Sequence, residues 1–219
     1  QMTIGRLALS GLTLHPWTYK EKAGEDEGLE AIRLLSAFGR SVSLESATFY
    51  DTVTRESFIE DGLTFKVVAN YDRQLVQGYD RGDLAQSLLT GADFSGELPM
   101  PERFKAGIQP ASASTKTATF GGSLAYSGMT GLKLGKLLEY GERGEMPSIK
   151  ERNLWSLGSY TLQDMRMDFG GSPAFEIGRL TLSADKFAWF LPERLTIEHE
   201  DVALHLINFL SWAEDFEPS

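Results

Sequence analysis

The sequence predicts an α+β chain dominated by β-structure: an extended or curved, mostly antiparallel sheet with about three short helices. Three observations carry this. Ile4-Gly5-Arg6-Leu7-Ala8-Leu9-Ser10 recurs as Ile177-Gly178-Arg179-Leu180-Thr181-Leu182-Ser183 with one position of seven changed. In both copies an apolar residue is followed at +3 and +5 by two leucines, which reads as a strand with one apolar face. Long stretches of this kind are separated by short ones with helical spacing, in a chain that is 42% hydrophobic and 11% aromatic, the composition of a folded protein.

Taken in order, Ile4–Leu14 is a strand whose pattern slips at Ser10-Gly11. Leu7 and Leu9 share one face, then Leu12 and Leu14 restart it, so the glycine marks a bulge or bend. His15-Pro16 ends the strand because proline cannot donate to a ladder. Leu29, Ile32, Leu35 and Phe38 give an amphipathic helix from Leu29 to Phe38, with Gly39 as its stop and Glu25, Asp26 and Glu27 at its positive end.

Ser41–Val53 reads as a strand, and Phe58–Tyr71 with Arg73–Asp80 as the next pair. Tyr71-Asp72-Arg73 returns as Tyr79-Asp80-Arg81, where Gly82 supplies the positive φ of a turn. Leu84–Leu98 fits helix and strand equally. The run Gln109–Thr117, rich in Ser, Ala and Thr, is the expected boundary between a β-rich module at 1–108 with one helix and a second at 118–219 with two. In the second, Thr119–Ser127 is a strand, Leu132–Tyr140 a helix ended by Gly141 or Gly144, and Leu154–Phe169 a strand pair. Gly170-Gly171-Ser172-Pro173 turns into the strands of Phe175–Leu206, and Leu206–Phe216 closes as a third helix.

The two copies of the heptad lie too far apart for a solenoid repeat. A large duplicated module, cut from a longer repeat protein, is the expectation. Gln1-Met2-Thr3-Ile4 enters a strand pattern without the basic and apolar regions of a signal peptide. No apolar run approaches the length that spans a bilayer as a helix.

Charge narrows the partners. Thirty-one acidic residues against 21 basic ones give −10, which opposes attraction to nucleic acid and to anionic lipid headgroups. There is no cysteine, so disulfides, thiol nucleophiles and thiolate metal sites are excluded.

Three phrases are distinctive: Leu157-Gly158-Ser159-Tyr160-Thr161-Leu162, Phe175-Glu176-Ile177-Gly178-Arg179-Leu180, and Leu191-Pro192-Glu193-Arg194-Leu195-Thr196-Ile197. With Gln77-Gly78-Tyr79-Asp80-Arg81-Gly82 they resemble uncharacterised secreted proteins of Alphaproteobacteria built from repeated strands. More distantly they are similar to the AsmA-like and DUF945-like envelope proteins. The resemblance implies a periplasmic or outer-envelope location and a role in envelope structure or lipid handling, and it brings no catalytic residues.

Sites with chemistry are scarce. His199-Glu200 lacks the second histidine of a zincin helix, since position 203 is alanine, and His205 lies roughly 20 Å away along a strand. Gly131-Leu132-Lys133-Leu134-Gly135-Lys136-Leu137 lacks the Ser or Thr of a phosphate loop, and its leucines read as helix packing. No metal, nucleotide or covalent cofactor is expected. Asp164 and Asp168 represent the alternative of a hydrolase using carboxylates from separate strands. The densest aromatic patch, Phe187, Trp189 and Phe190 with Leu191, is either core or an apolar contact surface, and Trp17 offers the same choice. The expected function is a non-catalytic envelope module, structural or binding lipid or another envelope protein through an apolar sheet face.

Overall fold

The computed structural model describes residues 1–19, 26–60, 63–99 and 117–205. Nine strands and two helices follow one another along these residues. They are β1 (Met2–Ser10), β2 (Thr13–Leu14), α1 (Glu27–Arg40), β3 (Val42–Glu60), β4 (Leu63–Asp80), β5 (Asp83–Pro99), β6 (Thr117–Lys133), α2 (Gly135–Arg143), β7 (Ser159–Phe169), β8 (Ser172–Ala188) and β9 (Leu191–Leu204). All strands join one sheet in the order β1-β3-β4-β5-β6-β7-β8-β9, with β2 also on β3, and every pairing is antiparallel. β5 pairs with β6 from Asp83↔Lys133 to Pro99↔Thr117, so the sheet is continuous across the division expected between 1–108 and 118–219.

Several local expectations are corrected. Phe58 belongs to β3, and Leu63–Asp80 is one strand, because Tyr71-Asp72-Arg73 is mid-strand while Arg81-Gly82 is a two-residue hairpin turn with φ of 51° and 104°. Such turns need positive φ at both centres, as Gly170-Gly171 supplies again between β7 and β8. Leu84–Leu98 is strand throughout. Leu154–Phe169 contains one strand and not a pair: β7 begins at Ser159, and residues 154–158 end a segment that folds back along the sheet end. Of the three helices expected, two are described; Leu206–Phe216 lies outside the described residues.

Asp26 starts α1 by accepting the Gly28 and Leu29 amides (2.9 and 3.3 Å), and Glu27 and Glu30 suit its positive end. The helix continues through Gly39 to Arg40. Gly39 serves close approach instead of termination: an added Cβ would lie 3.2 Å from Leu138 and 3.3 Å from the Tyr79 hydroxyl. α2 begins at Gly135, later than the leucine spacing predicts, because Leu132 still pairs in β6. Its first amides are capped from a distant strand: Asp83 accepts from Leu134 and Gly135 (3.1 and 2.9 Å). Gly144, at φ 67°, closes it.

The core is thin. Among the described residues, five of the eight buried apolar ones are alanines, at positions 37, 47, 69, 92 and 174; the others are Leu154, Ile177 and Phe187. The two helices pack on each other at the end of the sheet that carries the β4–β5 turn. Elsewhere, among the described residues, the sheet is a single layer with strands of 17–19 residues, about 60 Å long.

The sheet is crossed by two levels where pairing lapses without a change of register. The first runs Gly5, Asp51, Asp72, Gly91, Ala125, Asp164, Gly178, Asp201. On every second strand the residue is left-handed: Asp51, Gly91, Asp164 and Asp201 have φ of 51°, 60°, 50° and 51°. The second level lies six residues away along the strands and includes Gly11, Gly78 and Gly131, each at φ 63°. A left-handed residue breaks the twofold alternation of its strand, and cross-strand pairing carries the break to its neighbours. The apolar pattern therefore steps by three across each level: Ile4 to Leu7, Leu9 to Leu12, Leu162 to Met165, Ile177 to Leu180. The +3 of the repeated heptad is this step, and not one continuous face. The slip at Gly11 is a bend of the same kind.

The two heptads share a local setting. A Cβ on Gly5 would lie 2.9 Å from Asp51 Cβ and 3.3 Å from Tyr50 O; on Gly178 it would lie 2.9 Å from Asp201 Cβ and 3.3 Å from Glu200 O. They differ in company, since β8 lies between β7 and β9 whereas β1 is an edge.

Candidate functional site

The helix-bearing end of the sheet gathers most of the side chains with chemistry. A cavity of about 720 Å³ opens there among Arg40, Asp80, Arg81, Asp83, Lys133, Lys136 and Glu139. Most of these charges are already engaged. Arg40 pairs with Glu139 (3.3 Å) and Glu142, Lys136 with Glu151 (2.8 Å), and Asp83 caps α2. Hydrogen bonds from Lys136 and Tyr140 hold the Glu151 carboxyl below the usual carboxylate range, and the same contact raises Lys136 and Tyr140. The cavity's charge clamps two helices to a sheet end.

Beside it runs a chain of polar groups absent from the sequence reading, because its members are scattered over the segment after β2, the strands β3 and β4, and the β4–β5 turn. His15 Nε2 lies 2.7 Å from Ser43 Oγ, Ser43 donates to Asp80 (2.5 Å), and Arg81 donates to His15 Nδ1 (3.0 Å). The direction of donation decides its chemistry. With Arg81 donating to Nδ1, the proton of neutral His15 sits on Nε2 and points at Ser43. A catalytic histidine needs the reverse: a lone pair facing the hydroxyl and a carboxylate behind the ring. The chain orders the start of β3 against the β4–β5 turn and does not activate Ser43.

Tyr79 joins the same end, donating to Gly39 O (2.9 Å). Burial raises its pKa above the ordinary 10.0, the Gly82 amide opposes this, and the Asp83 charge adds to it. A raised phenol pKa means stability is fully present below pH 10 and is lost as pH rises through the folded-state value. Tyr79→Phe is expected to cost about 1 kcal/mol at neutral pH and to flatten the decline above pH 10, read from urea midpoints across pH.

The predicted apolar residues separate. Phe187 is 1% exposed and packs against Trp155, the rings tilted by 48° with centroids 4.2 Å apart. It is a packing residue; its surface is already taken by the segment that returns from α2, whose Asn153 amide donates to Phe187 O. Trp189 and Phe190 form the two-residue β8–β9 turn, edge to face at 4.7 Å, both half-buried. Trp189 has φ 55°, a conformation costly for a bulky side chain, and its indole N–H is buried without a partner among the described residues. Leu191 is 72% exposed and Trp17 43%. The carboxylates of the hydrolase alternative stay apart in role: Asp164 is an exposed left-handed residue of the first level, and Asp168 is paired with Arg166 (3.0 Å). Among the described residues no group of three or more His, Asp or Glu is placed to hold a metal ion.

The amphipathic helix expected over Leu29–Phe38 carries its apolar stripe on the exposed side. α1 buries Arg33 (7% exposed), Ser36 and Ala37 against α2 and turns Ile32, Leu35 and Phe38 outward, Leu35 at 68%. The inversion follows from its neighbour. Arg33 donates to Glu142 O at the α2 C-terminus (3.4 Å), and a Cβ on Gly141 would lie 2.2 Å from Ser36 Oγ. Close helix approach through small residues and a buried guanidinium leaves no room for leucines on that side.

No helix among the described residues is long and apolar enough to cross a membrane. No protein-family profile, curated protein or solved structure matches this chain.

Proposed function

We propose that the chain is a non-catalytic module of the bacterial envelope, periplasmic in location, that contacts envelope lipid through an apolar surface; another envelope protein is the alternative occupant. The observation that carries the reading is the outward stripe Ile32–Leu35–Phe38 on α1. Burying such side chains yields about 1.5–3 kcal/mol each, enough for reversible docking and well short of permanent insertion. The envelope location rests on the resemblance of the strand phrases. A chain of charge −10 gains nothing from anionic headgroups, so the contact is with acyl chains.

The test is co-flotation with phosphatidylcholine vesicles. Binding is expected to change little between about 50 and 500 mM salt and to fall at least about tenfold in Leu35→Asp, in protein whose circular dichroism is unchanged. Absence of vesicle binding by the unmodified chain would remove lipid as the occupant.

A further inference from the structure

The two open edges of the sheet fit each other. β1 and β9 are the end strands, and among the described residues nothing pairs with the outer side of either. Edge strands are normally guarded by lysine, proline or bulges. β1, MTIGRLALS, has a single charge, Arg6, and its Met2, Ile4, Leu7 and Leu9 are exposed, as are Ile197, Val202 and Leu204 on β9.

We infer that β9 of one copy adds to β1 of a second copy, extending the sheet head to tail with Asp201 opposite Gly5. Three features of the fold select this pairing over others. The β1 heptad is the near-twin of the β8 heptad, and β8 already accepts β9 with Ile177↔Val202, Arg179↔Glu200 and Leu182↔Ile197. Placing Asp201 against Gly5 sets Ile4 opposite Val202, Arg6 opposite Glu200, Leu9 opposite Ile197 and Met2 opposite Leu204, so the outer side of β9 meets the residue types its inner side meets. Opposite charges and apolar pairs facing across strands stabilise a sheet.

The second feature is the alternation along the first level. At this level the left-handed residues are on β3, β5, β7 and β9, while Gly5, Asp72, Ala125 and Gly178 on β1, β4, β6 and β8 are not left-handed. β1 therefore presents a strand that takes a left-handed neighbour, as β8 takes Asp164 from β7, and β9 presents one. Joining β1 to β1, or β9 to β9, would set like against like. The third is direction: with eight alternating strands across the sheet, β9 and the β1 of the next copy run antiparallel, as every other pair does. The contact is heterologous, so it propagates into a line or closes into a ring.

The absence of native cysteine makes the register testable. Ile4→Cys chains are mixed with Val202→Cys chains under mild oxidation. The mixed disulfide is expected to form about tenfold faster than between Ile4→Cys and Glu198→Cys, whose Cβ atoms would lie beyond bridging distance. Sedimentation of the unmodified chain is expected to show mass rising with concentration, and Arg6→Glu, which faces Glu200, to raise the dissociation constant about tenfold. Equal rates at the control position, a faster Ile4→Cys homodisulfide, or a monomer at every concentration would each overturn the pairing. Arg6→Glu keeps the test independent of any folding defect in the cysteine variants.

Discussion

Phe187→Ala is expected to lower unfolding free energy by about 3–5 kcal/mol, the range for removing a fully buried aromatic ring. Phe187 is 1% exposed and packs against Trp155 at the corner where the segment returning from α2 meets β8. The loss would extend beyond the cavity. The returning segment is held to the sheet by the Arg152↔Ala188 bridge and by the Trp189 backbone amide donating to Glu151 O. It carries Glu151, the partner of Lys136 on α2. Loosening the corner should therefore loosen α2, and amide exchange in Gly135–Arg143 is expected to quicken along with the fall in urea midpoint. Unchanged stability with altered ligand binding would instead make Phe187 a contact residue.

The second large effect is expected at Gly122. A Cβ there would lie 2.2 Å from Arg166 O, a backbone atom of β7, and 2.5 Å from Phe94 Cζ. Phe94 sits directly opposite Gly122, and Phe120 opposite Gly96, so each ring of the β5–β6 pair lies over a glycine of the facing strand. Gly122→Ala should cost at the upper end of about 1–3 kcal/mol, because neither a paired strand nor a seated ring moves freely. Gly121→Ala is the internal control: its nearest neighbour is Phe94 O at 3.4 Å, an ordinary contact. Thermal unfolding of the two variants side by side checks the difference.

What was legible in the sequence, and what was not, follows from the single layer. Arg81-Gly82 and Gly170-Gly171 were readable as turns because glycine at positive φ is a local signal. Trp189-Phe190 was not, since tryptophan carries no turn preference, and an aromatic run there suits strand core or an apolar contact surface equally. Leu84–Leu98 stayed ambiguous because a strand with neither face fully buried has no reason to alternate. The bend at Gly11 could be seen, yet most of the first level is aspartate and alanine, and only the pairing shows that these residues share one line. On α1 the periodicity gave the helix and its apolar stripe. It could not give the stripe's direction, which is set by Arg33, Ser36 and Gly141 on the far side. The polar chain of His15, Ser43, Asp80 and Arg81 had no sequence signal, as its members meet only through the register of β3 and β4.

The central claim, that α1 presents its apolar stripe to lipid, is tested most directly by a single probe. Leu35→Cys, unique in a chain without cysteine, would carry an environment-sensitive fluorophore, with Lys66→Cys on the exposed sheet as reference. On addition of phosphatidylcholine vesicles the label at position 35 should shift to shorter wavelength and become shielded from iodide, while the label at 66 stays in water. A label at 35 that remains fully quenched by iodide with lipid in large excess would contradict the account.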